Sequence, residues 1–186
     1  MTTAIIKGSL SSVARQNNQS IAQTFLSCET LVLMDTSSSM CMTDAPGGKS
    51  RYAAGCNELA RLQATNPGKV GIIAWASEVK FCPSGVPDDL GGTTDLAQAL
   101  NFVQAADGLG IQIVIISDGE PDDEARAISV ARRFTSRIHT VFVGPEGSPG
   151  ADFLRRLADA SGGQFARQST AELNQLGSTI QHLLAA

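Results

Sequence analysis

Five of the six residues in Ile111-Gln112-Ile113-Val114-Ile115-Ile116 are apolar. A strand with one wet face alternates apolar and polar side chains, and this run does not. It predicts a central strand of a parallel sheet, covered by helices on both sides. Leu31-Val32-Leu33-Met34 and Val70-Gly71-Ile72-Ile73-Ala74-Trp75 have the same character. Between and after these runs the period changes to that of helices. Tyr52, Cys56, Leu59 and Gln63 step along one face of a helix over 50–64. Leu96, Ala99, Leu100 and Val103 do so over 94–106. A helix over 121–135 takes Pro121 in its first turn, with acidic residues behind it. A strand over 138–143, a helix over 151–161 and a weak strand over 164–167 follow. The last helix opens on a capping-box pattern, Ser169-x-x-Glu172, and continues through Leu173, Leu176, Ile180 and Leu183.

Val79-Lys80-Phe81 alternates and precedes Pro83, as an edge strand does. Ser77 and Glu78 leave no room for a crossover helix, so this strand is expected antiparallel to the one before it. The fold class that results is α/β: a doubly wound, Rossmann-like, mostly parallel six-stranded sheet with one short antiparallel edge strand and helices on both faces. Residues 1–28 are expected to form an amphipathic helical extension, and 29–186 the domain itself. Leu10, Val13, Ala14, Ile21, Ala22 and Phe25 share a face of a single helix over 9–26. That face either packs on the domain or serves as a docking arm.

Bulk properties narrow the function. The chain has 186 residues, 42% of them apolar and 17% charged, which suits one domain with a substantial core. Its net charge of −4 and its lack of a Lys/Arg stripe argue against a nucleic-acid partner. No run approaches the ~20 apolar residues that span a bilayer, and the first residues lack the apolar core of a secretory signal. A cytoplasmic protein that does not engage membranes is expected. Cys28, Cys41, Cys56 and Cys82 form no Cys-x-x-Cys pair and read as reduced thiols, with Cys41 and Cys82 the more exposed.

Three oxygen-rich segments remain. Asp35-Thr36-Ser37-Ser38-Ser39 directly follows the first strand, and Ser117-Asp118-Gly119-Glu120 follows the central one. Gly91-Gly92-Thr93-Thr94-Asp95 is a glycine loop. Carboxylates and hydroxyls are hard donors suited to a divalent cation. Singly, each segment could equally be a helix cap or a turn. In a doubly wound sheet the ligand crevice lies at the carboxyl ends of the strands, where the winding reverses. If the strands ending at Asp35 and Asp118 are neighbours, the three segments converge there.

Taken together, Asp35-x-Ser37-x-Ser39, Gly92-Thr93 and Ser117-Asp118-Gly119 resemble the metal-ion-dependent adhesion site of von Willebrand factor type A (VWA) domains. All five motif positions are filled, and the resemblance spans residues 29–185. It implies that Ser37, Ser39 and Thr93 bind Mg²⁺ or Mn²⁺ through hydroxyls, with Asp35 and Asp118 acting directly or through water. Thr94 competes with Thr93 for its place, and the motif register favours Thr93. The resemblance further implies a non-catalytic adaptor of the prokaryotic intracellular type. Such an adaptor recognises a partner's Asp or Glu through the metal, and the partner class it suggests is a MoxR-type AAA+ ATPase or a larger assembly.

A phosphohydrolase resembling the haloacid dehalogenases would use Asp35 as nucleophile, with Asp118, Asp122 and Asp123 near Mg²⁺. Its acid/base carboxylate would fall at position 37, where serine is a poor proton carrier. A self-assembling subunit would bridge copies through the N-terminal helix. Gly48-Lys49-Ser50 lacks the upstream glycine of a phosphate loop, because position 43 is threonine. Glu120, Asp122, Asp123 and Glu124 crowd the rim, either as a solvated helix start or as a surface that selects against acidic partners.

Overall fold

The computed structural model describes residues 4–185. Its six strands are β1 (Thr30–Asp35), β2 (Val70–Trp75), β3 (Val79–Phe81), β4 (Gln112–Ser117), β5 (Ile138–Val143) and β6 (Phe165–Gln168). They lie in the order β3-β2-β1-β4-β5-β6. Every pairing is parallel except β2 with β3, which is antiparallel as expected from the short connection. The chain builds outward from β1 on one side, then returns to place β4 against the other flank of β1. The winding therefore reverses between β1 and β4.

Both faces of the sheet are buried, which explains the unbroken apolar runs. Val32, Met34, Ile72, Ala74, Val114 and Ile116 face one layer, with Leu59 and Leu62 of α3 (Arg51–Thr65) and Leu176 and Ile180 of α7 (Leu176–Leu184). Leu33, Ile73, Trp75, Ile113 and Ile115 face the other. That layer holds α4 (Leu96–Val103), α5 (Glu124–Ala131) and α6 (Pro149–Ala160).

Four local expectations differ from the structure. The single helix over 9–26 is two helices, α1 (Leu10–Gln16) and α2 (Ile21–Phe25). Asn18 between them takes a left-handed φ of 53°, a conformation asparagine tolerates and helices cannot continue through. Ser20 and Gln23 then form a capping box that restarts the helix. This segment lies against the domain. Leu10 is buried, the Ile6 and Ser11 amides donate to the Ser84 and Pro83 carbonyls, and Phe25 meets Phe81 edge to face.

The helix expected over 121–135 is shorter, Glu124–Ala131. Asp122 is engaged elsewhere, as described below, so the cap passes to Asp123, which accepts from the Arg126 amide. Pro121 therefore stands outside the helix. At the far end, Asp107 accepts from the amides of Thr135 and Ser136 and holds them out of it. The capping box at Ser169 is not formed: residues Thr170–Gln175 wind as a 3₁₀ helix, and the Ser169 hydroxyl turns to the Glu172 carboxylate instead of a backbone amide. Among the cysteines, Cys82 is buried rather than exposed, while Cys41 is exposed as expected; all four are unpaired thiols.

Candidate metal centre

The carboxyl ends of β1 and β4 lie side by side. Met34 pairs with Ile116, so the next residues along, Asp35 and Ser117, emerge together. The Asp35 carboxylate is fully buried and held from two sides. Oδ1 accepts from the Ser37 amide at 2.8 Å, and Oδ2 accepts from the Ser117 hydroxyl at 2.6 Å. Ser117 Oγ in turn accepts from the Gly119 amide at 2.9 Å. This short network fixes the turn after β4 relative to the turn after β1.

Burial pushes the Asp35 carboxyl up to about 6; its hydrogen bonds to Ser117 and Ser37 oppose the shift, and the charge of Asp118 adds to it. Loss of solvent, more than any neighbouring charge, is what penalises the ionised form here. The Ser37 and Ser39 hydroxyls, alternate residues of a tight loop, stand 3.1 Å apart. Ser37 is buried and Ser39 exposed, so the pair forms a ladder of oxygens from the sheet end to the surface.

The glycine loop is stitched to both turns. The Gly91 amide donates to the Thr36 carbonyl, and the Ser38 amide donates to the Gly92 carbonyl. On the other side, the Asp122 amide donates to the Thr94 carbonyl at 3.0 Å, and the Thr94 amide returns a bond to Asp122 Oδ1 at 3.2 Å. The Asp95 amide donates to Ala76, just past β2. Gly92 makes this possible: its φ is +87°, and a Cβ there would sit 2.5 Å from Ser77 Oγ. The three segments singled out in the sequence therefore meet at one crevice. Thr94 is buried with its backbone spent on Asp122, whereas Thr93 is exposed at the crest of the loop.

Asp118 is buried, at 7% exposure. Its Oδ2 accepts from Arg51 Nη1 at 3.3 Å, and its Oδ1 has no hydrogen-bond partner. A buried carboxylate oxygen without a partner is strongly unfavourable unless a cation or donor completes it. Asp118 Oδ1, near the enclosed Asp35 carboxylate, is the feature that fits a bound divalent ion. No three His, Cys, Asp or Glu side chains gather as a metal-ligand group among the described residues. The donors here are two carboxylates and several hydroxyls, a hard-oxygen set that suits Mg²⁺ or Mn²⁺ rather than zinc.

Arg51 and Asp44 carry no motif and were not picked out from the sequence. Arg51 is buried at the first turn of α3 and makes a two-pronged pair with Asp44, Nη2 to Oδ2 at 2.6 Å and Nε to Oδ1 at 2.9 Å. One signal existed: a cation directly after the Ser50 cap, where the helix dipole disfavours positive charge. The role of Ser117 as a strut for Asp35 depends on strand adjacency and had no local signature.

Three of the four carboxylates of the phosphohydrolase reading, all but Asp118, are otherwise engaged. Asp35 is enclosed and hydrogen-bonded through both oxygens, Asp122 ties the glycine loop and Asp123 caps α5. A nucleophile must reach its substrate, and Asp35 has no exposed surface.

No protein-family model and no curated protein sequence matches the chain. Solved structures do match in fold. An aerotolerance-related membrane protein from Bacteroides fragilis superposes with a TM-score of 0.68 at 18% identity, covering 85% of this chain and 98% of that one. Manganese-loaded TRAP from Plasmodium vivax gives 0.55 at 17% identity, covering 86% of this chain and 74% of that one. A von Willebrand factor type A protein from Catenulispora acidiphila gives 0.58 at 16% identity, over 86% of this chain and 42% of that one. At these identities the likeness establishes the fold, an α/β sheet of VWA type.

Proposed function

We propose that this VWA-type fold is a protein-binding module that works through a divalent cation held by Asp35, Ser37, Ser39, Thr93 and Asp118. One observation carries the reading: Asp118 Oδ1 is buried without a partner at the crevice where Ser37, Ser39 and the Thr93 loop converge. The manganese present in Plasmodium vivax TRAP supports Mg²⁺ or Mn²⁺ as the ion. When bound, the cation supplies an electrophilic centre open to a partner's Asp or Glu.

The chain's own residues supply the rest. Asp35, enclosed and doubly hydrogen-bonded, orients the Ser37 backbone and acts as the outer carboxylate. Ser37 and Ser39 present neutral oxygens, which leave the ion's charge unspent. Thr93 is the hydroxyl this reading assigns to the ion from the loop, which its exposure supports where Thr94 is buried. No side chain here is poised as a general base, so the reading is recognition rather than turnover. Asp44, Glu120, Asp122, Asp123 and Glu124 are exposed around the rim, so a partner carboxylate must arrive flanked by basic groups.

A MoxR-type AAA+ ATPase or a larger assembly is the partner class we propose, with self-association through the N-terminal segment beside it. The four unpaired thiols support a reducing compartment, the cytoplasm. Among the described residues no helix is long and apolar enough to cross a membrane.

Calorimetry with Mg²⁺ and Mn²⁺ tests the reading. Saturable binding is expected, with Ser37→Ala and Thr93→Ala each weakening it about tenfold or more. Full affinity in both variants would remove these hydroxyls from the site.

A further inference from the structure

We propose that Arg51 is a resident counter-cation of Asp118, which holds the crevice together in the absence of a divalent ion and competes with that ion for the same carboxylate. The inference rests on the metal-binding reading above and adds to it a residue that sets the affinity.

Arg51 is 4% exposed and sits where the α3 dipole opposes a positive charge. Such a residue persists only if its charge is met by partners. Two carboxylates meet it. Asp44 takes the planar fork at 2.6 and 2.9 Å, and the remaining Nη1 reaches Asp118 Oδ2 at 3.3 Å. The loop that carries Asp44 is itself closed onto α3. The Arg51 amide donates to the Met42 carbonyl, and the Ala45 amide donates to the Lys49 carbonyl. The guanidinium is therefore aimed by local structure before it meets Asp118, seven tenths of an ångström farther away than its closest Asp44 oxygen.

This geometry divides Asp118 between two cations. Oδ2 belongs to Arg51 and Oδ1 is left for the crevice. A divalent ion drawn to Oδ1 must tolerate the guanidinium on the other side of the same carboxylate, and like charges so close repel. Asp44 moderates that repulsion, because its own negative charge neutralises the fork. Its side chain is 34% exposed, so the moderating group stands at the surface while the group it moderates is buried. Arg51 thus keeps the empty site from carrying two uncompensated carboxylates, and the same contact weakens the ion's hold.

The competition predicts opposite signs for two single substitutions. Arg51→Gln removes the competing charge, and Mg²⁺ or Mn²⁺ should bind roughly tenfold more tightly, the scale of one nearby unit charge. Asp44→Asn leaves the guanidinium unneutralised, and the same ions should bind more weakly by a similar factor. General damage to the crevice would weaken both. Arg51→Lys keeps the charge and should return affinity toward wild type. A second readout needs no metal: in EDTA, Arg51→Gln should melt at lower temperature than wild type, because Asp118 is left buried and unpaired, and Mg²⁺ should raise its melting temperature by more than it raises that of wild type.

Calorimetry and thermal melting on wild type and the three variants decide the matter. No binding and no thermal shift in wild type would overturn the cation reading, and the competition with it. Binding in wild type together with unchanged or weaker binding in Arg51→Gln would overturn the competition alone. Tighter binding in Arg51→Gln with weaker binding in Asp44→Asn would support it.

Discussion

The Ser117 hydroxyl donates to Asp35 Oδ2 at 2.6 Å, joining the ends of two strands 82 residues apart in sequence. The same oxygen accepts from the Gly119 amide, so one small side chain links the β1 turn to the β4 turn. Ser117→Ala leaves one buried carboxylate oxygen and one buried amide without partners. A loss of about 1–3 kcal/mol is expected from such orphaned groups, measured as a lower urea midpoint at unchanged slope. Cation affinity should fall as well, because the Asp35 carboxylate keeps its Ser37 bond on Oδ1 but loses the Ser117 strut that fixes Oδ2.

Gly119 lies where the turn after Asp118 touches the start of α6. Its φ is +78°, and a Cβ would come within 2.2 Å of the Gly150 carbonyl oxygen. Gly119→Ala must therefore move backbone, and a loss of at least about 2 kcal/mol is expected from strain and overpacking together. Gly147→Ala provides the comparison: its φ is +81°, yet nothing lies within 4 Å of its Cβ. Denaturation of both variants should show the larger loss at 119, and only that variant should displace Asp118 and lose cation binding.

His139 is buried on β5, and its Nδ1 accepts from the Gln164 amide at 3.3 Å. Burial holds its pKa below the usual value of 6.5, and the charge of Arg137 pushes the same way. A depressed histidine stabilises the fold while neutral. Its contribution is present above pH 6.5 and is lost as pH falls from there toward its folded-state value. Asp35 acts with the opposite sign, since a carboxyl raised to about 6 favours the folded state as pH falls through that value. The histidine contribution is therefore read as a difference. Between pH 7 and 5, wild type should lose stability relative to His139→Gln, as measured by urea denaturation at each pH.

Legibility differed by element. The strand set, the antiparallel edge and the helices on both faces followed from runs such as Ile111–Ile116, because burial on two faces leaves a mark in every residue. The N-terminal helix was misjudged at Asn18, where the apolar face of 9–26 continues across a residue whose backbone turns left-handed. Periodicity records which side chains are buried, and it does not record a one-residue break. The start of α5 was misplaced for a different reason. Asp122 looks like a helix-start acid in sequence, yet a loop 28 residues earlier claims both its amide and its carboxylate.

The site divides along the same line. Donor chemistry is local: Asp35, Ser37, Ser39 and Asp118 stand just after strand ends and Thr93 in a glycine loop, and the resemblance to the metal-ion-dependent adhesion site is what joins them into one proposed set. What those donors do depends on who neutralises whom, and charge acts through space. Pairing β1 with β4 decides that Ser117 holds Asp35. Folding the 42–50 loop onto α3 decides that Asp44 occupies Arg51, that Arg51 reaches only one oxygen of Asp118, and that the other oxygen is buried without a hydrogen-bond partner.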